Sequence, residues 1–357
     1  MTEAPATPPP TPTELTAFAE GFWQSVRSEQ EALRARPLVE LVDRLNDLLE
    51  AAVPGVAVEA EGAGPDLDSG AGRLVFTSHG STDHFAAVQA VVAQAPKGLP
   101  WPVTAFRQRT GTGFGMRMDR FELATQDLRV RVGQCAGRVA LALSFANPVP
   151  AELREHARQM AFILLDHMLG EYDFAVKVSL VEFEDDGLSE GMGFEQSAPQ
   201  PLDDAVATID ACWRDTLGRS ARYPAQPDWA TLKGRNSAGR EMQAQVNRNA
   251  DALVGRADMG WRVEASVPAA TPQDQAAARA FEKAWVAAAE HQQQGICSHV
   301  VQGDGWRHVC CYVSDSVQAV QAAVSVAGRC LPDAQSMEIT VVYEPAWDEY
   351  LVWLGRC

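Results

Sequence analysis

Apolar residues recur along the first half of the chain at helical intervals in some segments and at strand intervals in others. One helix is predicted to begin at Pro37, and its apolar face carries Leu38, Leu41, Leu45, Leu48 and Leu49. Short extended segments follow at 73–77, 116–122, 128–133 and 139–145, and a further helix leads into a strand over 175–183. This grouping predicts an α+β domain at 13–183, with a mainly antiparallel sheet and its helices on one side.

The beginning of the chain departs from this pattern. Residues 1–12 hold five prolines and almost no large apolar side chain, which predicts an extended, disordered tail. The tail runs into Thr11-Pro12-Thr13-Glu14. There Thr11 can cap a helix, Pro12 suits the first turn and Glu14 completes a capping box.

The second half of the chain carries a regular succession of strand and helix patterns. Strand 261–267 precedes a helix that begins at Thr271-Pro272, and strands 296–302 and 307–313 form a hairpin. A helix over 314–327 and a strand over 337–343 complete the series. The order β-α-β-β-α-β predicts a ferredoxin-like α+β domain, which we place at 201–357 after an acidic linker at 184–200.

The charge balance argues against one class of function and favours another. The 357 residues carry a formal net charge of −17, which argues against a protein that binds nucleic acid through its phosphates. Such a charge can attract a basic protein partner at long range. The residues expected to form the partner-binding surface are Glu171, Asp173, Glu182, Glu184, Asp185 and Asp186. The alternative is that these carboxylates only keep an edge strand soluble and unpaired.

The chain gives no sign of export or of membrane insertion. Its first residues lack the basic and apolar regions of a secretory signal, and no apolar run reaches the ~18 residues that a membrane span needs. The seven cysteines are odd in number and irregularly spaced, which does not suggest a disulfide framework. These features predict a cytoplasmic protein with reduced thiols.

Two cysteines and two histidines come together in the predicted hairpin. If Asp304-Gly305 forms a two-residue turn, His299 lies opposite Cys310, and Val301 lies opposite His308. Alternation along the strands then places four zinc-competent residues on one face, namely Cys297, His299, His308 and Cys310. The other face is expected to meet the helices, and it carries Ile296, Val300, Val309, Cys311 and Val313. The alternative for the Cys and His residues is a half-buried sheet surface at a domain contact.

Two further motifs lack the structural context that their chemistry requires. Residues 187–191 match the pattern G-x-S-x-G, but no helix pattern follows Ser189, and neighbouring carboxylates would oppose a developing oxyanion. The glycine-rich run 109–115 joins two strand patterns, whereas a dinucleotide-binding loop must open a helix. The sequence therefore predicts no catalytic residues and no organic cofactor.

The stretch at about 229–355 resembles a bacterial domain family of unknown function. The resemblance rests on Arg240 followed by Val246-Asn247, on Phe281-Glu282 with Trp285, on Val309-Cys310-Cys311-Tyr312, and on the closing Glu344-Pro345-Ala346-Trp347-Asp348-Glu349-Tyr350. The family usually ends with Asp-Pro-x-Trp-x-x-Tyr, so Glu344 is a departure. The first half is similar to another uncharacterised bacterial domain through Ala95-Pro96, Trp101, Val103, Ala105-Phe106 and Leu169-Gly170-Glu171. The C-terminal family is often fused to, or discussed beside, small inhibitors that regulate ribonuclease E, which implies a regulatory role.

These observations lead to three hypotheses of different kinds. The first is a bacterial, non-catalytic protein that acts by binding another protein through its acidic surface. The second is a small-molecule or zinc-binding protein, which could include an enzyme, that uses an inter-domain cleft and the face with Cys297, His299, His308 and Cys310. The third is an acidic mimic of nucleic acid. The absence of nucleophile–base and phosphate-loop motifs favours the first hypothesis.

The closing motif has a predicted structural role. The C-terminal segment is expected to fold back as an aromatic lid on the core through Trp347, Tyr350, Leu351 and Trp353.

Overall fold

A computed structural model of the chain describes residues 10–62, 72–118, 121–235 and 238–355. The chain divides into two compact units, one of residues 1–109 with 170–172 and one of residues 110–169 with 173–357. The architecture is α+β with mainly antiparallel sheets, as the sequence predicted. The predicted tail at 1–12 lies almost entirely outside the described residues.

The first unit combines helices with a three-stranded sheet of order β1-β2-β3. Its elements are α1 (Pro12–Ser28), α2 (Gln30–Arg34), α3 (Leu38–Ala52), β1 (Ala57–Glu61), β2 (Arg73–Thr77), α4 (Phe85–Ala93) and β3 (Val103–Ala105). The predicted start of α1 is confirmed, because the Thr11 hydroxyl accepts from the Glu14 backbone and the Glu14 carboxylate accepts from the Thr11 backbone. The apolar stripe of α1 is buried, and Trp23 donates a hydrogen bond of 2.7 Å to the carbonyl of Val91.

The second unit begins with a two-stranded ribbon and a four-stranded sheet of order β8-β7-β6-β9. Its elements are β4 (Gly115–Met118), β5 (Phe121–Ala124), β6 (Leu128–Cys135), β7 (Arg138–Phe145), α5 (Arg154–Leu169), α6 (Glu171–Lys177), β8 (Val178–Phe183), β9 (Gln200–Pro201) and α7 (Leu202–Ala211). Helix α6 starts within the segment 170–172 of the first unit. Among the described residues of this four-stranded sheet, β7 and β8 pair in parallel and the other neighbours are antiparallel.

The segment 184–200, predicted as a linker, lies within the second unit. Its Phe194 is buried against Ala140 and Ala142 of β7. The backbone N–H of Val132 donates to Ser197 Oγ over 3.0 Å. This segment therefore packs on the sheet beside it, while the domain boundaries at 13–183 and 201–357 stay a prediction.

A six-stranded antiparallel sheet of order β10-β11-β13-β14-β12-β15 forms the rest of the second unit. Its elements are β10 (Trp229–Arg235), β11 (Glu241–Asn247), β12 (Trp261–Pro268), α8 (Pro272–Ala289), β13 (Gly295–Gly303), β14 (Trp306–Val313), α9 (Ser316–Cys330), β15 (Glu338–Tyr343) and α10 (Asp348–Trp353). The predicted succession of β12, α8, β13, β14, α9 and β15 is present, and we keep the ferredoxin-like assignment as an interpretation of its strand order.

One face of this sheet packs against α8 and α9. Phe281 and Trp285 of α8 are fully buried there, and Trp285 Nε1 donates to the carbonyl of Ala319 on α9 over 3.0 Å. The sheet contributes the alternate residues of its strands, such as Val263 and Val309. The intervening residues of β12 and β14 therefore lie on the opposite face of the sheet.

Candidate functional site

The hairpin of β13 and β14 contains the cysteines and histidines that the sequence singled out. Its turn is Asp304-Gly305, with φ values of 54° and 79°, and positive φ at both positions suits a two-residue hairpin turn. His299 pairs with Cys310 and Val301 pairs with His308. The predicted register is therefore confirmed from the turn as far as His299.

A β-bulge at Ser298 changes the face on which the preceding residues of β13 lie. The ladder shifts by one residue between Cys297 and His299, so that Cys297 pairs with Cys311. Cys297 consequently joins the core beneath α8 and α9, with 1% of its surface exposed. Ile296, paired with Tyr312, takes the other face. The expectation that Cys297 shares the face of His299, and that Ile296 meets the helices, is wrong because of this one extra residue.

A glutamate from a third strand completes the group around His299 and Cys310. Glu264 of β12 lies directly opposite Cys310 of β14, which in turn lies opposite His299 of β13. One carboxylate oxygen of Glu264, one ring nitrogen of His299 and the sulfur of Cys310 all lie within 4.8 Å of one another. These three residues are called the Glu264 cluster below.

Glu264 escaped the sequence analysis although strand 261–267 was predicted. A charged residue between buried neighbours in Arg262-Val263-Glu264-Ala265-Ser266 is a signal that could have drawn attention to it. Its position beside Cys310 depends on the pairing of β12 with β14, which are separated by α8 and β13 in the sequence. No local pattern specifies that pairing.

His308, the fourth predicted ligand, lies one row away from the Glu264 cluster. It pairs with Ser266 of β12, and its Nδ1 is 2.8 Å from Ser266 Oγ. The same nitrogen is 3.6 Å from Glu264 Oε1. His308 is half-exposed and lies on the solvent side of the cluster. It contacts the carboxylate of Glu264 rather than the sulfur of Cys310.

The environment of His299 prepares its ring to act as a neutral ligand. Burial lowers the pKa of His299 to about 4, which keeps the ring uncharged at neutral pH. Ser298 Oγ lies 3.0 Å from His299 Nδ1 and donates to the carbonyl of Cys310 over 3.3 Å. A hydroxyl that donates to a carbonyl can accept from Nδ1–H, and this arrangement leaves the lone pair on Nε2.

The other two members of the cluster differ in protonation, since Cys310 is neutral and Glu264 is ionised. Burial raises the pKa of the Cys310 thiol well above its ordinary value, so the sulfur is protonated. The neighbouring His308, and then Arg262, lower the pKa of Glu264, so its carboxylate is ionised. Arg262 Nη1 lies 3.6 Å from Glu264 Oε2. The cluster therefore presents a carboxylate, a neutral imidazole and a thiol.

The C-terminal segment covers this face of the sheet, in agreement with the aromatic lid that the sequence predicted. The Trp347 ring stacks on Tyr312 with 3.9 Å between centroids and 8° between planes, and Trp347 Nε1 donates to the carbonyl of Met259. Tyr350 is also fully buried. The Trp353 ring lies 5.6 Å from that of His299. Helix α10 therefore shields the cluster from bulk water.

The predicted acidic surface is distributed over both units. Glu171 belongs to the first unit, where it is fully buried. Its carboxylate accepts from Thr77 Oγ1 at 2.7 Å, and from the backbone N–H groups of Ser78, Gly80 and Arg107 at 3.0, 2.9 and 3.2 Å. This residue therefore holds together the loops after β2 and β3 of its own unit, and its burial excludes it from the exposed partner-binding surface in which the sequence placed it.

The remaining acidic residues of that prediction have basic or hydroxyl partners within the second unit. Each contact is between 2.5 and 2.8 Å, and the pairs are Asp173 with Lys177, Glu182 with Ser189, Glu184 with Arg131, and both Asp185 and Asp186 with Arg158. These contacts neutralise much of the charge locally. A role in binding a basic partner stays a prediction.

No protein-family model, no curated protein and no solved structure matches this chain. Every helix within 10–62, 72–118, 121–235 and 238–355 is too short or too polar to span a bilayer. The resemblance of each half to an uncharacterised bacterial domain stays a prediction.

Proposed function

We propose that this protein binds one transition-metal ion, with zinc as the preferred ion, through Glu264, His299 and Cys310. The observation that supports the proposal is the convergence of a carboxylate oxygen, an imidazole nitrogen and a sulfur within 4.8 Å, from three neighbouring strands. Thiolate, imidazole and carboxylate are the side chains that zinc takes in proteins. The set differs from the four residues predicted from sequence, because Glu264 replaces Cys297 and His308 supports a ligand instead of acting as one.

The charges of the cluster are compatible with a divalent cation. Glu264 is ionised and His299 is neutral, so the thiol of Cys310 is the one ligand that must lose a proton. A divalent ion bound to one carboxylate and one thiolate gives a neutral centre, which a largely buried site tolerates better than a charged one. The contacts of Ser298 with His299, and of His308 with Glu264, orient the ligands in the way that outer residues do in metal sites.

The same residues are poorly suited to nucleophilic catalysis. A reactive cysteine needs a lowered pKa and access to its substrate. Cys310 has no exposed surface, and its pKa is raised by burial. Cys310 also lies between His299 and Glu264 in the sheet, whereas a catalytic triad has its histidine in the middle, so the group fits a metal site better than an acyl-transfer site.

Purified full-length protein, stripped with a chelator and then titrated with Zn²⁺ in a calorimeter, tests the proposal. We expect one ion per chain for the natural sequence, and loss of at least tenfold in affinity for Cys310→Ser. Titration with Co²⁺ should produce a sulfur-to-metal charge-transfer band that Cys310→Ser lacks.

Cys297→Ser is the matched control, since Cys297 is an equally buried cysteine of the same hairpin that faces the helices. It should keep the stoichiometry and the Co²⁺ band. Circular dichroism establishes that each variant is folded. The proposal is wrong if the folded natural protein takes up no ion, or if the two cysteine variants lose binding equally.

A further inference from the structure

The six-stranded sheet is wider than the helical layer that covers it. The core beneath α8 and α9 is built from strands β12 to β15, and neither β10 nor β11 contributes a buried residue to it. Six of the seven residues of β10 are exposed. The helix-side face of β11 is therefore open beside the wall formed by α8.

A polar groove of about 490 Å³ lies where the sheet extends beyond α8. Its floor carries glutamines from two neighbouring strands, and its wall is the side of α8. The lining residues are Gln243, Gln245, Val300, Gln302, Arg307, Arg279 and Glu282. The volume is within the range of small-molecule sites, which are about 300–1,000 Å³.

Hydrogen-bond donors dominate this groove. Arg307 Nε donates to Glu282 over 2.5 Å, and Arg307 Nη1 donates to Gln302 Oε1 over 2.7 Å. These contacts neutralise Glu282 and occupy the oxygen of Gln302, so that the amide –NH₂ group of Gln302 stays available. The second arginine of the lining, Arg279, makes no ion pair or hydrogen bond with the residues that the structure describes.

The net charge of the groove is opposite to that of the protein. Two arginines against one glutamate give the lining a charge of +1, whereas the chain carries −17. A donor-rich, positively charged recess in an acidic protein is complementary to an oxyanion. The geometry points to a binding site for a small oxyanion, a carboxylate or a phosphate, held by Arg279 together with Arg307 and the amide of Gln302.

Calorimetric titrations of the full chain with citrate, with inorganic phosphate and with glucose test this assignment. Citrate presents carboxylates, phosphate presents a compact oxyanion, and glucose offers hydroxyl groups without charge. We expect saturable one-to-one binding of citrate or of phosphate, no binding of glucose, and at least a tenfold loss of affinity in 0.5 M NaCl, as expected for a screened charge interaction. Whichever anion binds more tightly identifies carboxylate or phosphate as the chemistry of the ligand.

Arg279→Ala should weaken binding about fivefold to tenfold. Because Arg279 is exposed, this variant is expected to fold normally. Arg329→Ala is the matched control, since Arg329 is also an exposed helical arginine without a partner among the described residues, and it lies on α9 outside the groove. Binding of neither anion, binding of glucose, or equal effects of the two arginine variants would each overturn the assignment.

Discussion

His299 lies directly opposite Cys310 in the ladder of β13 and β14, whereas Cys297, two residues earlier in β13, lies opposite Cys311 on the other face of the sheet. The bulge at Ser298 produces this separation. It gives Cys297 and Cys310 different environments, since Cys310 lies beside Glu264 and Cys297 lies in the core below the helices. The candidate metal site depends on that difference.

Metal binding should stabilise the second unit, because the three ligands come from three strands that unfolding would separate. At a free Zn²⁺ concentration of 100 times Kd, the expected gain is about 2.7 kcal/mol. This corresponds to an increase in Tm of roughly 5–10 °C. Calorimetric melting with Zn²⁺ and with a chelator measures the difference, and Cys310→Ser, with its affinity lowered at least tenfold, should reduce the gain by about half or more. An identical Tm under both conditions would argue against a bound ion.

Glu171→Gln should strongly destabilise the first unit. Each carboxylate oxygen of Glu171 accepts two hydrogen bonds, and the –NH₂ group of a glutamine would face two donors at one of these positions. Hydrogen bonds to charged groups contribute about 1.5–3 kcal/mol each, so we expect a loss of at least about 3 kcal/mol in urea unfolding. Glu182→Gln is the control, since Glu182 accepts from Ser189 in an exposed loop. It should change stability by less than about 1 kcal/mol, and comparable effects of both variants would contradict the assigned role of Glu171.

Glu290→Gln should stabilise the protein at neutral pH and lose that advantage in acid. Burial raises the pKa of Glu290 from its ordinary value of 4.5. The folded state therefore holds a proton more tightly than the unfolded chain, and stability falls as the pH rises through the folded pKa. Glutamine keeps an oxygen to accept from the Cys297 backbone, as Glu290 Oε1 does over 2.9 Å.

Urea unfolding of Glu290→Gln and of the natural protein at pH 7 and at pH 4 measures this effect. The exposed Glu338 provides the control variant Glu338→Gln, for which we expect a change below about 0.5 kcal/mol at either pH. A gain from Glu290→Gln that is equal at both values of pH would show that the carboxylate is not penalised by burial.

Two glycine-to-alanine changes should alter stability in opposite directions. A Cβ at Gly295 would lie 2.7 Å from the carbonyl oxygen of Ala289 and 2.7 Å from Val313 Cγ1, whereas a Cβ at Gly328 in α9 would meet nothing within 4 Å. Gly295→Ala should therefore cost about 1–3 kcal/mol through steric overlap. Gly328→Ala should contribute about 0.5–1 kcal/mol through its higher helix propensity. Thermal unfolding of the two variants measures both effects, and a stabilising Gly295→Ala would show that the start of β13 is not tightly packed.

Local features of the fold and of the site could be predicted because residues close in the sequence specify them. The Asp304-Gly305 turn tolerates positive φ and fixes which residues face each other nearest to it. The capping box of Thr11 and Glu14 depends on a spacing of three residues and is equally visible in the sequence. Contacts of this range depend only on residues that are close in the sequence.

The sequence by itself determined the α+β class, the succession of strands and helices in the second half, and the register of the hairpin as far as His299. Tertiary structure decided the rest. The bulge at Ser298 inserts one residue, and in a strand with a period of two that moves Cys297 to the core and Ile296 to the opposite face. Glu264 joins the site only because β12 pairs with β14 across the intervening helix and strand. Local propensity cannot encode such a pairing, since its energy comes from packing the whole sheet against α8 and α9.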